Sequence, residues 1–431
     1  VVSLRASLGR SAIKVASEVA ITSGADVGAD GRGRAADAFP ALLVRELNAE
    51  SVRPLEAGTG PARVWRVATP KDVLAVKVLR RGAGIVDGHD IRSFLKKPAQ
   101  LSRIHRELPG LSSFYVDVVG VWDQTSWAAY AMPFLEGAAA VSPASPPDVA
   151  HDRLNHVFGV LTEHGYARTR RDRSDDHVRD HVAKIRRRLW VLARKLPREL
   201  LDGQRIVVNG TSCRPIGPLM QAIEGSSPLL RMLLPRLVSY PVHGDLNLND
   251  VLASPGRPES FTVIDPRGTQ SYRDPIDDFA KALFSMTVFD RSLTSGVRIW
   301  RNAARGERPA TYVIRAVDPY SRYADMATMF VEILGRLPFG DELDRIDPHW
   351  RVRLAFFHAF HALEEATWRL SPRAPRPAPA AARDPLTLAT ALCALGLRLL
   401  EQAIAGAADD DTALPDVSTG LDDDAGVIWR Y

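Results

Sequence analysis

The alternation of apolar and polar positions divides the chain into a strand-rich stretch followed by a long helical one. From Phe39 a helical pattern leads into an extended run at Val52–Leu55, and the chain then passes through Glu56-Ala57-Gly58-Thr59-Gly60. Two β-rich runs follow, Val64–Val67 and Val73–Leu79, separated by a Thr-Pro-Lys-Asp turn. Strand, glycine turn, strand, turn, strand predicts an antiparallel meander and not a βαβ unit. A helical stretch at Ile91–Leu108 precedes two more strand-like runs, Phe114–Val121 and Trp127–Met132. Beyond Gly137 a Pro/Ala/Ser cluster, Ala138–Pro147, marks a hinge or linker. The remainder reads as helical, except for a strand pair around Val251–Leu252 and Thr262–Ile264.

This pattern predicts an α+β chain of two lobes: an N-terminal extension (1–45), a small antiparallel β-rich lobe with its hinge (46–137), a larger helical lobe (138–405) and an acidic tail (406–431). A Pro/Ala linker, Pro372–Ala382, sets off the last helix, and the tail carries Asp-Asp-Asp twice. No internal repeat is present.

Composition narrows the class. With 431 residues, 45% of them hydrophobic and 25% charged, the chain has the make-up of a globular protein large enough for more than one lobe. No uninterrupted apolar run reaches the length that spans a bilayer, and the longest candidate, Leu386–Leu400, reads as a buried or amphipathic helix. The N-terminal residues lack a secretory-signal pattern. Two cysteines, Cys213 and Cys393, exclude a disulfide framework and fit the reducing cytoplasm. The net charge of +5 is carried mainly by arginine. The Arg-rich stretch 168–194 has aspartates interleaved and reads as a solvated helical face. No nucleic-acid motif accompanies it, so neither nucleic acid nor membrane is an expected partner.

The richest chemistry lies in His243-Gly244-Asp245-Leu246-Asn247-Leu248-Asn249-Asp250-Val251-Leu252, followed by Val263-Ile264-Asp265-Pro266-Arg267-Gly268. A loop, a strand, a Pro-Gly turn and a returning strand bring Asp245, Asp250 and Asp265 toward one point. Three carboxylates a few ångströms apart raise one another's pKa, and a divalent cation resolves that conflict. Phosphoryl transfer asks for little more: a carboxylate near the attacking hydroxyl and oxygen ligands for Mg²⁺. In the β-rich lobe, Gly58-Thr59-Gly60 would let backbone approach a triphosphate. Lys77, inside the apolar run Ala75-Val76-Lys77-Val78, is costly to bury unless it meets an anion. An edge-strand lysine reaching solvent is the plain alternative. No P-loop, Gly-x-Ser-x-Gly elbow, His-Glu-x-x-His or Cys/His cluster occurs.

In this order, His243-Gly244-Asp245, Ile264-Asp265-Pro266 and Asp274-Pro275-Ile276-Asp277-Asp278-Phe279-Ala280-Lys281 resemble the HGDxxxxN … IDP … DPxxDLA signature of the aminoglycoside phosphotransferase and choline kinase superfamily. The resemblance covers roughly residues 50 to 290 and implies a bilobal protein-kinase-like fold and ATP- and Mg²⁺-dependent transfer to a hydroxyl of a small molecule. It implies that Asp245 is the catalytic base or hydroxyl-orienting residue and that Asp265 binds metal. His243 and Asp278 become structural supports of the loop. Lys77 takes the phosphate-contacting place on the third strand, and Tyr130–Gly137 becomes the hinge, with Met132 and Phe134 as adenine contacts. It also asks for an acidic partner to Lys77 from the following helix, with Asp90 preferred over Glu107.

One position departs from the signature. Where the family's metal-binding Asn belongs, this chain has Asp250, a hard oxygen ligand that adds a negative charge beside the phosphates. A nucleotide-binding pseudokinase, or an interaction module without catalysis, is the alternative reading. The Arg-rich helical lobe (168–194, Arg267, Arg273) gives no support for the acidic pocket that a polycationic acceptor needs. A neutral or anionic hydroxyl compound, such as a sugar or sugar derivative, is the expected acceptor class. His358 and His361, on a Phe-rich helix, read as packed histidines that also stand within reach of an acceptor pocket.

Overall fold

The computed structural model describes residues 39–55, 61–82, 90–141, 147–169, 171–172, 177–254, 257–289, 296–317, 322–370 and 384–408. A short helix α1 (Ala41–Glu46) leads into strands β1 (Ser51–Pro54), β2 (Arg63–Ala68) and β3 (Val73–Arg80). Helix α2 (Ile91–Glu107) and strands β4 (Gly120–Asp123) and β5 (Trp127–Pro133) complete the lobe. All five strands pair antiparallel in the order β1-β2-β3-β5-β4. The predicted meander is present. The strand expected at Phe114–Val121 starts later, because Tyr115 and Val116 instead pair with Val263 of the other lobe.

The two faces of this sheet have different partners, which fixes where Lys77 points. Leu74, Val76 and Val78 of β3 are buried with Leu43, Val67, Ala129 and Ala131 in a small core beneath α1. The opposite parity, Ala75, Lys77 and Leu79, faces α2 and the interlobe cleft, where Tyr130 and Met132 of β5 join the main core. Successive residues of a strand point to opposite sides, so no rotamer choice moves Lys77 out of the cleft. Helix α2 starts at Asp90, whose carboxylate accepts from the Ser93 amide at 3.0 Å. It lays Phe94, Leu101 and Ile104 against the sheet.

The larger lobe begins at strand β6 (Ala139–Ala140), which pairs with β7 (Val251–Ser254) of the hairpin β7–β8 (β8, Arg257–Val263). Helix α3 (Pro147–Val160) packs on this hairpin, and α4 (His177–Ala193), α5 (Ile276–Phe284), α6 (Arg322–Arg336), α7 (Trp350–Arg369) and α8 (Pro385–Ala408) build the rest of the lobe, with α7 against α4, α5 and α8. Helix α8 is long and apolar enough by composition to cross a membrane, yet 78% of its most apolar window is buried inside the fold, where its principal neighbour is α7. A satellite sheet of Val297–Asn302, Thr311–Ala316, Ile206–Val208 and Thr211–Cys213 flanks α8.

Helix α5 carries the end of the Asp-Pro motif and is held by a buried ion triad. Asp274, just before α5, accepts from Arg353 Nε of α7 at 2.7 Å and caps the helix by accepting from the Ile276 amide at 3.0 Å. The same guanidinium makes a two-pronged pair with Asp347, at 2.9 and 2.7 Å, and it is fully buried. Removing one partner of such a group leaves charges with no solvent and no counter-ion. Arg353→Met is expected to destabilise the fold by about 3–5 kcal/mol, read as a lower midpoint in urea unfolding.

Candidate functional site

The hairpin sets the spacing of the acidic residues. Val251 of β7 lies opposite Val263 of β8, so Asp250 and Ile264 meet at its open end, where the Ile264 amide donates to the Asp250 carbonyl at 2.8 Å. Upstream, Leu246 and Leu248 are buried while Asp245, Asn247, Asn249 and Asp250 line the interlobe cleft. The alternation of the loop sequence thus drives every second residue into the core and aims the polar ones at the opening.

His243 and Asp278 hold this loop. The buried imidazole of His243 donates from Nε2 to the Ile264 carbonyl at 2.9 Å and accepts the Asp245 amide at Nδ1 at 3.3 Å. Burial pushes its pKa down, which suits this neutral tautomer. Asp278, fully buried on α5, accepts from the His243 amide (2.7 Å), the Gly244 amide (2.7 Å) and the Tyr166 hydroxyl (2.6 Å). Gly244 sits at φ +78°, and a Cβ there would come within 3.0 Å of Thr269 Oγ1, so the turn needs glycine.

Asp265 is the junction of the two lobes. Its Oδ2 takes Lys77 Nζ at 2.6 Å, and its Oδ1 takes Lys97 Nζ at 2.8 Å and the Tyr130 hydroxyl at 3.1 Å. Its backbone is in the left-handed region at φ +56°, costly for a residue with a side chain and sustained by these contacts. Burial would raise its pKa, but Lys77 and Lys97 together hold it below the ordinary carboxylate range. Asp245 pairs with Lys281 of α5 at 3.0 Å. Against the upward push of burial, Lys281 and Arg267 keep it firmly ionised. Asp250 is pushed well up by burial and by the charges of Asp265 and Asp245.

Helix α2 does not supply an acidic partner to Lys77. Asp90 is the helix cap, and Glu107 pairs with Arg103 and Arg106 on the surface. Lys77 finds its carboxylate in Asp265 instead, 188 residues away, and the helix adds a second ammonium group, Lys97, between Phe94 and Leu101 on its buried side. Gln100, one turn on, locks the helix to the larger lobe, donating to the Val242 carbonyl at 2.9 Å and accepting the Gly268 amide at 2.8 Å. At Gly268 (φ +86°) a Cβ would lie 2.6 Å from Lys96 Cβ, which permits that close approach. The sequence gives no site role to Lys97, Lys281 or Gln100, and places Tyr130 only as the first residue of the hinge segment. The only sequence signal for Lys97 is a lysine among the apolar positions of an amphipathic helix.

The cleft encloses about 580 Å³. Ala62, Val64, Ala75 and Met132 line one wall, and Leu252 and Ile264 the facing one, forming an apolar slot beside the charged cluster. Phe134 also lines it, with the Arg66 guanidinium 5.2 Å from its ring centre. Lys77, Met132, Phe134, Asp245, Asp250 and Asp265 are therefore brought to one cleft, with His243 and Asp278 behind it. Gly58, Thr59 and Gly60 lie outside the described residues.

No family model matches the chain, and no curated protein matches it in sequence. Among solved structures it is similar to a Haemophilus somnus protein described as a fructosamine-3-kinase, with 10% identity, a TM-score of 0.46, and 84% of this chain and 95% of that one covered. It is also similar to a thermostable mutant of aminoglycoside phosphotransferase APH(4)-Ia in a ternary complex with ADP and hygromycin B (11%, 0.44, 83% and 97%). A third is aminoglycoside phosphotransferase APH(3'')-Id from Streptomyces rimosus in complex with ADP and streptomycin (15%, 0.41, 72% and 94%). At such values the work of the cleft has to be read from its own side chains.

Behind the cleft, α4, α5 and α7 pack a charged cluster. His181 of α4 contacts Asp277 of α5 at 3.3 Å and Glu364 of α7 at 2.9 Å, while Glu364 also takes Lys184 and Asp277 also meets His361 at 3.3 Å. The expectation of a solvated face over 168–194 is thus corrected in part: His181 and Arg188 are buried. His358 is a packed histidine, bonded to Thr287 at 2.7 Å and pushed down to about 3 by burial, whereas His361 lines the cleft. Burial opposes the charge on His181, but its bonds to Asp277 and Glu364 outweigh that and raise it from 6.5 to about 9. A raised histidine stabilises the fold fully below its unfolded value and loses that contribution as pH climbs through the folded one. The stability gap between the wild type and His181→Gln is expected to shrink by up to about 3 kcal/mol between pH 6.5 and 9, measured by denaturant titration at each pH.

Proposed function

We propose that the chain is a phosphotransferase that moves the γ-phosphate of ATP to a hydroxyl of a small molecule, with a sugar or sugar derivative as the acceptor class. The observation that carries this reading is the convergence of Asp245, Asp250 and Asp265 with Lys77, Lys97 and Lys281 in one cleft beside an apolar slot. An apolar slot between two lobes suits a purine ring, and the paired ammonium groups of Lys77 and Lys97 suit the phosphates beyond it. Met132 and Phe134 are the ring contacts in this reading.

The residues fit a divalent cation. Asp250 is a carboxyl whose ionisation is opposed by burial and by Asp265 and Asp245, and the buried Asn247 Oδ1 has no hydrogen-bond partner among the described residues. Asp250 and Asp265 would hold Mg²⁺, with phosphate oxygens completing its shell. When bound it neutralises phosphate charge as the transfer proceeds. Asp245 then works as the hydroxyl-orienting residue. A carboxylate held this firmly ionised is a weak base, and a loose phosphoryl-transfer transition state asks for little early proton removal. Lys281 fixes its direction, and His243 and Asp278 keep the loop in place.

Two results are expected. Calorimetry with ATP is expected to show binding that depends on Mg²⁺ and is lost in Asp265→Ala; absence of binding with and without Mg²⁺ would refute the reading. Asp245→Asn is expected to keep ATP binding while turnover falls by about 10²–10⁴. ATP binding without transfer to any acceptor in the wild type would instead favour the pseudokinase alternative.

A further inference from the structure

Next to the cleft lies a side chamber of about 300 Å³ that shares Lys184, Arg267, His361 and Glu364 with it and reaches Gly244, the residue before Asp245. Among the described residues its charges do not balance. The buried carboxylates are already taken, Asp277 by His181 and His361, and Glu364 by His181 and Lys184. Asp180 is largely exposed and stands 3.9 Å from Arg273 at the rim. Against these three acids the described lining presents Lys184, Arg267 and Arg273 in addition to His181. Arg267 is the decisive one. Its amide is tied to the His243 carbonyl at 2.8 Å, which fixes it beside the catalytic loop, yet its guanidinium makes no ion pair or side-chain hydrogen bond among the described residues. The excess is felt by its neighbour: burial and the charge of Arg267 lower the Lys184 pKa to about 8 in spite of Glu364.

A half-buried guanidinium two residues beyond Asp265, whose acidic neighbour Asp245 is already ion-paired with Lys281, is a recognition element for an anion. A polycation would meet Lys184 and Arg267 head-on, and a neutral polyol would leave the excess uncompensated. We propose that the acceptor carries an acidic group, a phosphate or a carboxylate, which seats in this chamber between Arg267 and Lys184 and so presents a hydroxyl to Asp245. The inference rests on the phosphotransferase reading and names its substrate class. The acceptor oxygen forms the new bond to the γ-phosphorus as the bond to the β,γ-bridging oxygen breaks. ADP leaves with that electron pair, and the hydroxyl proton passes by way of Asp245 to solvent.

The test uses the full chain saturated with ADP and Mg²⁺. Inorganic phosphate and glycolate, titrated separately by calorimetry, report which acid the chamber takes. At least one is expected to bind, and Arg267→Gln is expected to weaken it by about tenfold or more. The melting temperature of the variant reports its folding, and Arg273→Gln at the rim provides a second, milder loss if Arg267→Gln does not fold. In turnover, ribose 5-phosphate or gluconate is expected to surpass ribose and glucosamine in kcat/KM, with the KM of the acidic acceptor rising in Arg267→Gln. Neither anion binding to the ADP-loaded chain, or binding unchanged in both variants, overturns the proposal and leaves the phosphotransferase reading standing. A chain that cannot be loaded with ADP overturns both.

Discussion

The contact between Asp265 and the two lysines of the β-rich lobe is the constraint on which the rest of the site depends. A carboxylate at the end of β8 reaches across the interlobe cleft to Lys77 on β3 and Lys97 on α2, with Tyr130 of β5 as a third donor. The three charged side chains keep only 15–24% of their surface exposed, so they act at close range in a partly desolvated setting, where an unpaired member would be expensive. The pairing ties the two lobes together and holds both ammonium groups at the cleft. It also sustains the left-handed backbone at Asp265.

Behind that contact stand supports whose purpose is geometric. Asp278 gathers the amides of His243 and Gly244, the Arg353 triad fixes the helix that carries Asp278, and Gln100 docks α2 onto the same loop. Each is a polar group buried and fully engaged, the kind of arrangement that specifies one structure. Asp250 is a third carboxyl in the cleft, and burial together with Asp265 and Asp245 opposes its ionisation. Helix α2, from which Asp90 was the expected acidic partner of Lys77, instead brings Lys97 to Asp265 and adds a positive charge.

Much of the site was legible along the chain because its pieces are short and local. A loop with alternating leucines, a hairpin and a returning strand bring Asp245, Asp250 and Asp265 together by spacing alone, and the parity of β3 aims Lys77. The role of Lys97 was not legible. A lysine on a helix with apolar neighbours reads as a solvated position until the helix is docked, and the docking depends on Gln100 and Gly268, which are far apart in sequence. The same holds for His181, Lys184 and Arg188. Their stretch reads as a charged outer face, and only the packing of α4 against α7 turns part of it inward.

The sequence by itself determined the strand-then-helix order, the acidic loop and hairpin, and the need for an anion near Lys77, because these follow from periodicities and spacings of a few residues. Tertiary structure alone decided which anion that is, which cations share it, and which carboxylates in the rear chamber are neutralised. Those outcomes depend on charges brought within about 3–4 Å from segments more than a hundred residues apart. Linear spacing cannot encode such distances; the burial that sets their strength exists only once the lobes have packed.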